Sequence, residues 1–348
     1  AILDTGETDD DNKAHELADK VWTIIENSAA YGFNSAHAYC MAIDSVTIAY
    51  LKAHYPLEFY KCVLQRFTDK GEKDKVALIK QEMLKRGYKL KDIQFGDDNR
   101  SFNIDRANNC IVQTMASIKD MPKSAPEALY ELGKSDIKNR AALYQALMDD
   151  PRINKKAIEI LFHLGYFNKF AQPNRLIAEY EIYQKYISVK VLTKSSFDDI
   201  MIDVIRPCCG KETEKQFREI DNKALITALI KQANIKPTTI VDRIKWQLEY
   251  LGYCTVSDPK SDPNDWLVLD VKTTGYGTVY CTLYNLCYGA ERTYRANKKF
   301  WTNHQLSKGD VAMVVLQEKN KMKKDENGEW VKLSETYQEM KVWKKLEV

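Results

Sequence analysis

The side chains best placed for chemistry are cations interleaved with aromatics. Lys75, Lys80, Lys85 and Arg86 fall on a predicted helix over 74–86, Lys155 and Lys156 open another, and Arg292, Tyr294, Arg295, Lys298, Lys299, Phe300 and Trp301 crowd a predicted strand and its exit. Ammonium and guanidinium groups neutralise phosphates, and aromatic rings stack on bases that have left a duplex. Taken singly, each patch reads as a solvated face. Taken together, on a chain that ends in a small β domain, they point to a nucleic acid as partner.

Bond-making chemistry has less to work with. Asp97 and Asp98 lie in a predicted turn with no His nearby in sequence, and the Gly275–Gly277 run sits between strands, so it reads as a hairpin turn and not a phosphate cradle. The eight cysteines are scattered without paired metal-ligand spacing. Cys208 and Cys209 adjoin and read as free thiols of a reducing cytoplasm. His37, at the start of a helix, reads as a packing residue or a ligand contact, whereas Lys52 and His54 suit the negative end of that helix. No catalytic and no metal-ligating residue is assigned to the chain.

The elements that would position these groups follow from hydrophobic period. Residues 13–30 are predicted to form an amphipathic helix, capped by Asp11 or Asn12 and packed beside its successor. That successor, from Tyr31 to Pro56, opens on an aromatic–Gly–aromatic turn and is apolar round most of its circumference, the pattern of a buried helix. A basic helix over 74–86 and a turn-rich stretch to Asp105 come next. Short helices over 126–132, 139–148 and 154–164 suggest paired hairpins. A helix from Pro173 carries Tyr180, Tyr183 and Tyr186, 204–219 reads as a boundary, and 223–233 and 240–251 form a helical pair. From Trp266 the period becomes two, which predicts a small all-β barrel.

Composition is that of an ordinary globular chain, with 44% hydrophobic and 29% charged residues, net charge +3 and no apolar run long enough to span a membrane. Charge is segregated: Lys61–Lys91 holds ten Lys or Arg against four Asp or Glu, and Ala1–Asn12 holds five acids and no base, as in a solvated tail. The start at Ala1 suggests a piece of a longer polypeptide.

Phe33–Pro56 resembles, without a gap, the fingers motif of bacterial family-C DNA polymerase III alpha subunits, which reads F-N-K-S-H-A before an Ala/Tyr-rich helix and Y-L-K-A-H-Y-P. Phe33, Asn34, His37, Ala38 and Tyr50 to Pro56 fit it. Asn99 to Phe102 is similar to the family's next segment, Ile118-Lys119 to the start of its I-K-G hairpin, and Ile153 to Phe167 to its following helix. The resemblance covers about Lys13 to Phe170. Beyond it, Leu251-Gly252-Tyr253 is similar to the segment before the family's OB-fold.

The resemblance implies a multi-domain α+β chain, helical through its first two-thirds. Its parts would be an acidic tail (1–12), the C-terminal part of the fingers (13–109), a helix-hairpin-helix-like domain (110–170), a helical linker region (171–259) and an OB-like barrel (260–348). It implies that Phe33, Asn34 and His37 face the nucleotide and adds Arg100, Lys119 and Lys123 to the DNA contacts. The catalytic carboxylates would lie in a palm outside this chain, with Mg2+ and dNTP serving the complete polymerase. Primer–template DNA, single-stranded template, the palm-bearing part, a sliding clamp and other replisome proteins are the implied partners, in the cytoplasm and away from membranes. Four positions depart from the pattern: Ser35 replaces a Lys, Ala36 a Ser, and Asp120 and Pro122 replace hairpin glycines. These departures suit a divergent, phage-like polymerase. The alternative is a non-catalytic DNA-binding or replisome-scaffold protein built on the same framework.

Overall fold

The computed structural model describes residues 10–30, 35–297, 301–302, 305–324 and 329–346. The chain divides into two compact units, Ala1–Val63 and Leu64–Val348.

The first unit holds α1 (Asp11–Ala30), α2 (Ser35–His54) and the start of α3 (Pro56–Asp69). Asp10, not Asp11 or Asn12, caps α1, its Oδ1 accepting Asn12 N–H at 3.0 Å. Pro56 opens α3 at a position where its missing N–H costs nothing. Within this unit the burial expected of α2, and of the apolar face of α1, is not found. Trp22, Ile24 and Ile25 of α1 and Tyr39, Ile43, Val46 and Ile48 of α2 are exposed. The pattern was apolar enough for an interior helix, but burial also requires a surface to cover it, and sequence period carries no information about that surface. Most of the acidic tail and the aromatic–Gly turn lie outside the described residues.

The second unit begins with α4 (Lys73–Lys85) and a small sheet in which β1 (Lys89–Lys91) pairs parallel with β3 (Cys110–Val112), itself antiparallel to β2 (Asn103–Asp105). Next come α5 (Ala125–Lys134), α6 (Arg140–Asp149), α7 (Lys155–His163) and α8 (Pro173–Tyr186). Asn139 and Asn154 cap α6 and α7 by accepting the N–H groups of Ala142 and Ala157. The interval read as a boundary is ordered: β4 (Val191–Thr193), α9 (Asp199–Ile205), β5 (Cys209–Glu212) and β6 (Gln216–Ile220) form a second small sheet with its helix. Phe217 and Ile205 there are fully buried in the same hydrophobic core as Leu129, Leu161 and Leu176. α10 (Asn222–Gln232) and α11 (Ile240–Leu251) complete the helical part.

α11 joins core to barrel. Tyr250 packs into the helical core, whereas Val241 and Ile244 pack with Leu267, Tyr284 and Val311 of the β domain. Its end is set by Gly252, at φ +74°, where an added Cβ would stand 2.9 Å from the Cβ of Ala77 on α4.

β7 (Asp265–Thr273), β8 (Val279–Asn285), β9 (Glu291–Ala296), β10 (Val311–Lys324) and β11 (Trp330–Leu346) close a barrel in the order β10-β11-β9-β8-β7. All pairs are antiparallel except β9 with β11. Alternate residues such as Val268, Cys281, Leu283, Ala312 and Val314 fill the interior. The Gly275–Gly277 run is the expected hairpin turn, with Gly277 at φ +74° and the Thr274 N–H bonded to Thr278 O at 2.8 Å. The outer halves of β10 and β11 continue as a two-stranded ribbon, paired from Met322–Lys332 to Lys324–Trp330.

Candidate nucleic-acid interface

The ribbon and the outer face of β8 and β9 bound a groove of about 1010 Å³, with Tyr280, Arg295, Lys321, Met322, Trp330 and Tyr337 on its walls. Strand alternation places these side chains: Tyr280 and Arg295 are Cα partners across β8 and β9, facing outward between inward neighbours such as Cys281 and Ala296. Trp330 and Tyr280 are well exposed. The Arg295 guanidinium lies 5.7 Å from the Tyr337 ring centre and the Lys324 ammonium 5.6 Å from that of Trp330, distances at which cation and ring attract.

Beneath the groove Glu339 is buried and receives Lys319 Nζ, with Asn297 Nδ2 at 3.0 Å and Arg295 Nε at 3.9 Å. Burial alone would raise its carboxyl pKa, but these donors outweigh it and the net displacement is downward. Glu339 therefore stays charged and orients Arg295. Lys321 pairs with Glu335 at 2.7 Å, and Lys323, Lys324 and Lys332 stand exposed along the ribbon. Cationic tips beside open aromatic faces suit a strand of phosphates with unstacked bases.

The sequence-predicted contacts are dispersed. Arg295 lies in the groove, whereas Arg292, exposed on the same strand, lines a different cavity with Lys85. Tyr294, buried in the barrel core where it meets Trp266 edge to face at 5.6 Å, also lines the groove. Trp301 is half-buried against the barrel core. Lys298 and Lys299, like Phe33 and Asn34, lie outside the described residues, and His37 is exposed on α2.

Lys80 corrects the sequence reading most sharply. It is 1% exposed, and its ammonium donates to Gln113 Oε1 at 2.9 Å and Ser117 Oγ at 2.8 Å beneath the rings of Phe102 and Tyr253. Removal from water lowers its pKa to about 7, against the pull of Asp92. So enclosed, its ammonium is not presented at the surface. On the other face of α4, Lys75 pairs with Glu72 and Arg86 with Glu82. Arg100 is held by Asp98 and Glu127 and lies over Tyr130 at 3.7 Å, so its charge is spent within the protein. Lys155 and Lys123 are exposed, and Lys156 reaches Glu159 at 3.4 Å. In the loop with Lys119, Asp120 adopts φ +59°, the left-handed conformation a glycine would favour, with Lys73 as its neighbouring charge.

Tyr280, Lys321, Trp330 and Tyr337 were missed in the sequence. The available signal was the pair of long period-two runs flanking Asn327-Gly328, which predicts a hairpin and hence that the two runs share faces. Among the described residues no group of three or more His, Cys, Asp or Glu is placed to hold a metal ion, and no helix is long and apolar enough to cross a membrane. Cys208 and Cys209 are free thiols, and burial raises both above their ordinary pKa.

Fold and groove define a mixed α+β chain with a β-barrel whose outer face is basic and aromatic. No family model matches the chain. It is 28% identical over 155 residues to DNA polymerase III subunit alpha of Campylobacter jejuni, 30% over 166 residues to that of Vibrio cholerae and 29% over 173 residues to that of Thermus aquaticus. These alignments cover 44%, 46% and 48% of this chain but only 13%, 14% and 13% of the relatives. The chain is thus related to DNA polymerase III subunit alpha over somewhat less than half of its length, and spans about one-seventh of those proteins.

Proposed function

We propose that the chain is a C-terminal fragment or subunit of a DNA polymerase III alpha-like enzyme, binding primer–template DNA and leading single-stranded template over its barrel, with the catalytic carboxylates and their Mg2+ and dNTP on a palm supplied by another polypeptide part. One observation carries this reading. The barrel's strand order, β7-β8-β9-β11-β10 closing on β7 with only β9 and β11 parallel, supports an OB-fold, and the groove falls on its second and third strands beside the ribbon joining the fourth and fifth. That face is where OB-folds hold oligonucleotides. The uncovered apolar side chains of α2 support a covering partner, for which the palm-bearing part is our choice.

The test is equilibrium binding of labelled single-stranded DNA to the whole chain across a salt series. Binding that weakens steeply with salt, and is reduced in Arg295→Ala and Lys321→Ala, is expected. No binding at low salt would remove the reading. Primer extension should require the palm-bearing polypeptide; DNA binding without extension in its presence would favour a scaffold protein.

A further inference from the structure

A second cavity, of about 490 Å³, lies within the larger unit between α11, the segment 92–95 and the turn after α7, in the size range of small-molecule sites. The groove reading uses none of its residues. The turn is held by Tyr166 N–H to Leu161 O at 2.9 Å and Asn168 N–H to Gly165 O at 3.0 Å, and Phe95 N–H to Tyr166 O at 3.0 Å ties the neighbouring segment to it.

Two cations, one carboxylate and several uncharged hydrogen-bonding groups line the cavity. Arg243 of α11 and Lys169 of the turn line it, and neither has a carboxylate in ion-pair contact among the described residues. Lys169 is steadied over the Phe95 ring at 4.3 Å. Gln247, 7% exposed, has its Oε1 taken by Thr255 N–H at 2.8 Å and Thr255 Oγ1 at 3.2 Å, and its Nε2 has no acceptor among the described residues. Asp92, half-buried, accepts Gln113 Nε2 at 3.3 Å, and burial raises its carboxyl pKa against the pull of the neighbouring Arg243 and Lys80. His163, stacked on Trp246 at 4.4 Å, keeps a buried Nδ1 without a partner. His163 Nδ1 and the Tyr166 hydroxyl, both of residues lining the cavity, are buried without a partner among the described residues, which is costly unless something in the cavity meets them.

We propose that this cavity binds a nucleoside monophosphate, its phosphate on Arg243 and Lys169 and the donor–acceptor edge of its base on Asp92 and Gln247. A base presents an N–H beside an acceptor, the complement of a carboxylate beside an amide N–H. A phosphate supplies charged acceptors for Arg243 and Lys169, which have none in ion-pair contact among the described residues. The proposal does not rest on the DNA-binding reading.

Calorimetric titration of the whole chain with AMP and, separately, with inorganic phosphate tests it. Saturable AMP binding is expected, weakened about tenfold by Arg243→Ala and also by Gln247→Glu, and unchanged by Trp330→Ala in the groove. Arg243 is exposed, so its removal should leave the fold intact, which circular dichroism checks. Absence of AMP binding at millimolar concentration would overturn the proposal. So would equal affinity for inorganic phosphate, which would leave only an anion site, or loss of AMP binding in Trp330→Ala, which would place the nucleotide in the groove.

Discussion

Lys80 Nζ donates to Gln113 Oε1 at 2.9 Å, and the same amide, through its Nε2, bonds Asp92 at 3.3 Å. A neutral side chain thus stands between a buried cation and its nearest carboxylate. Ser117 and Tyr253 complete the cluster, Tyr253 donating its hydroxyl to Gln113, so one polar knot ties α4, the segment after β3 and the segment after α11.

This knot predicts how stability depends on pH. The folded-state pKa of Lys80, about 7, lies below the roughly 10.4 of an unfolded lysine. Between those values the unfolded chain binds more protons, so stability should rise with pH across that window, by at most about 1.4 kcal/mol per unit. Below it the full cost of burying the ammonium applies. Urea unfolding across this range should show the rise in the native chain and lose much of it in Lys80→Met. An identical slope in the variant would assign the effect to other groups.

Glu179 of α8 predicts an acid-side effect. Its buried carboxylate receives Arg140 at 2.6 Å, Arg175 at 2.8 Å and the Tyr144 hydroxyl at 3.0 Å. Burial pushes its pKa up, the two arginines more than reverse this, and the net shift is downward. Its contribution is therefore present above the unfolded carboxyl pKa and is lost as pH falls through the lowered one. Glu179→Ala, which leaves the Tyr144 hydroxyl buried and unbonded, should cost roughly 2–4 kcal/mol in chemical denaturation.

Trp330→Ala and Tyr337→Ala should each weaken single-stranded DNA binding by roughly 1–3 kcal/mol if a base stacks on the ring, while leaving the melting temperature nearly unchanged for the exposed Trp330. Fluorescence anisotropy at fixed salt measures the loss. Tyr294→Phe should leave binding nearly intact, because it keeps the buried ring that packs in the barrel core and lines the groove.

Gly252→Ala should destabilise the chain by roughly 1–3 kcal/mol, from left-handed backbone strain and the close approach to Ala77. Ala77→Gly in the same chain should recover the steric part and leave the backbone part. Thermal melts of the single and double variants separate the two.

What the sequence determined by itself is local. The helices around 126–164 start where Asn139 and Asn154 can cap them, Gly275–Gly277 turns a hairpin, and period two marks the barrel strands, since each signal needs only neighbouring residues. The likeness to DNA polymerase III alpha was also legible, because it rests on residue order. Tertiary structure decided which charges remain free. Lys80 and Lys85 share one helix and one chemistry, yet one is enclosed by Gln113, Phe102 and Tyr253 and the other is exposed. Trp330 and Tyr280 reach one groove only because β10 and β11 fold back across the barrel. Burial and charge pairing depend on residues distant in sequence, and no local pattern encodes which of them meet.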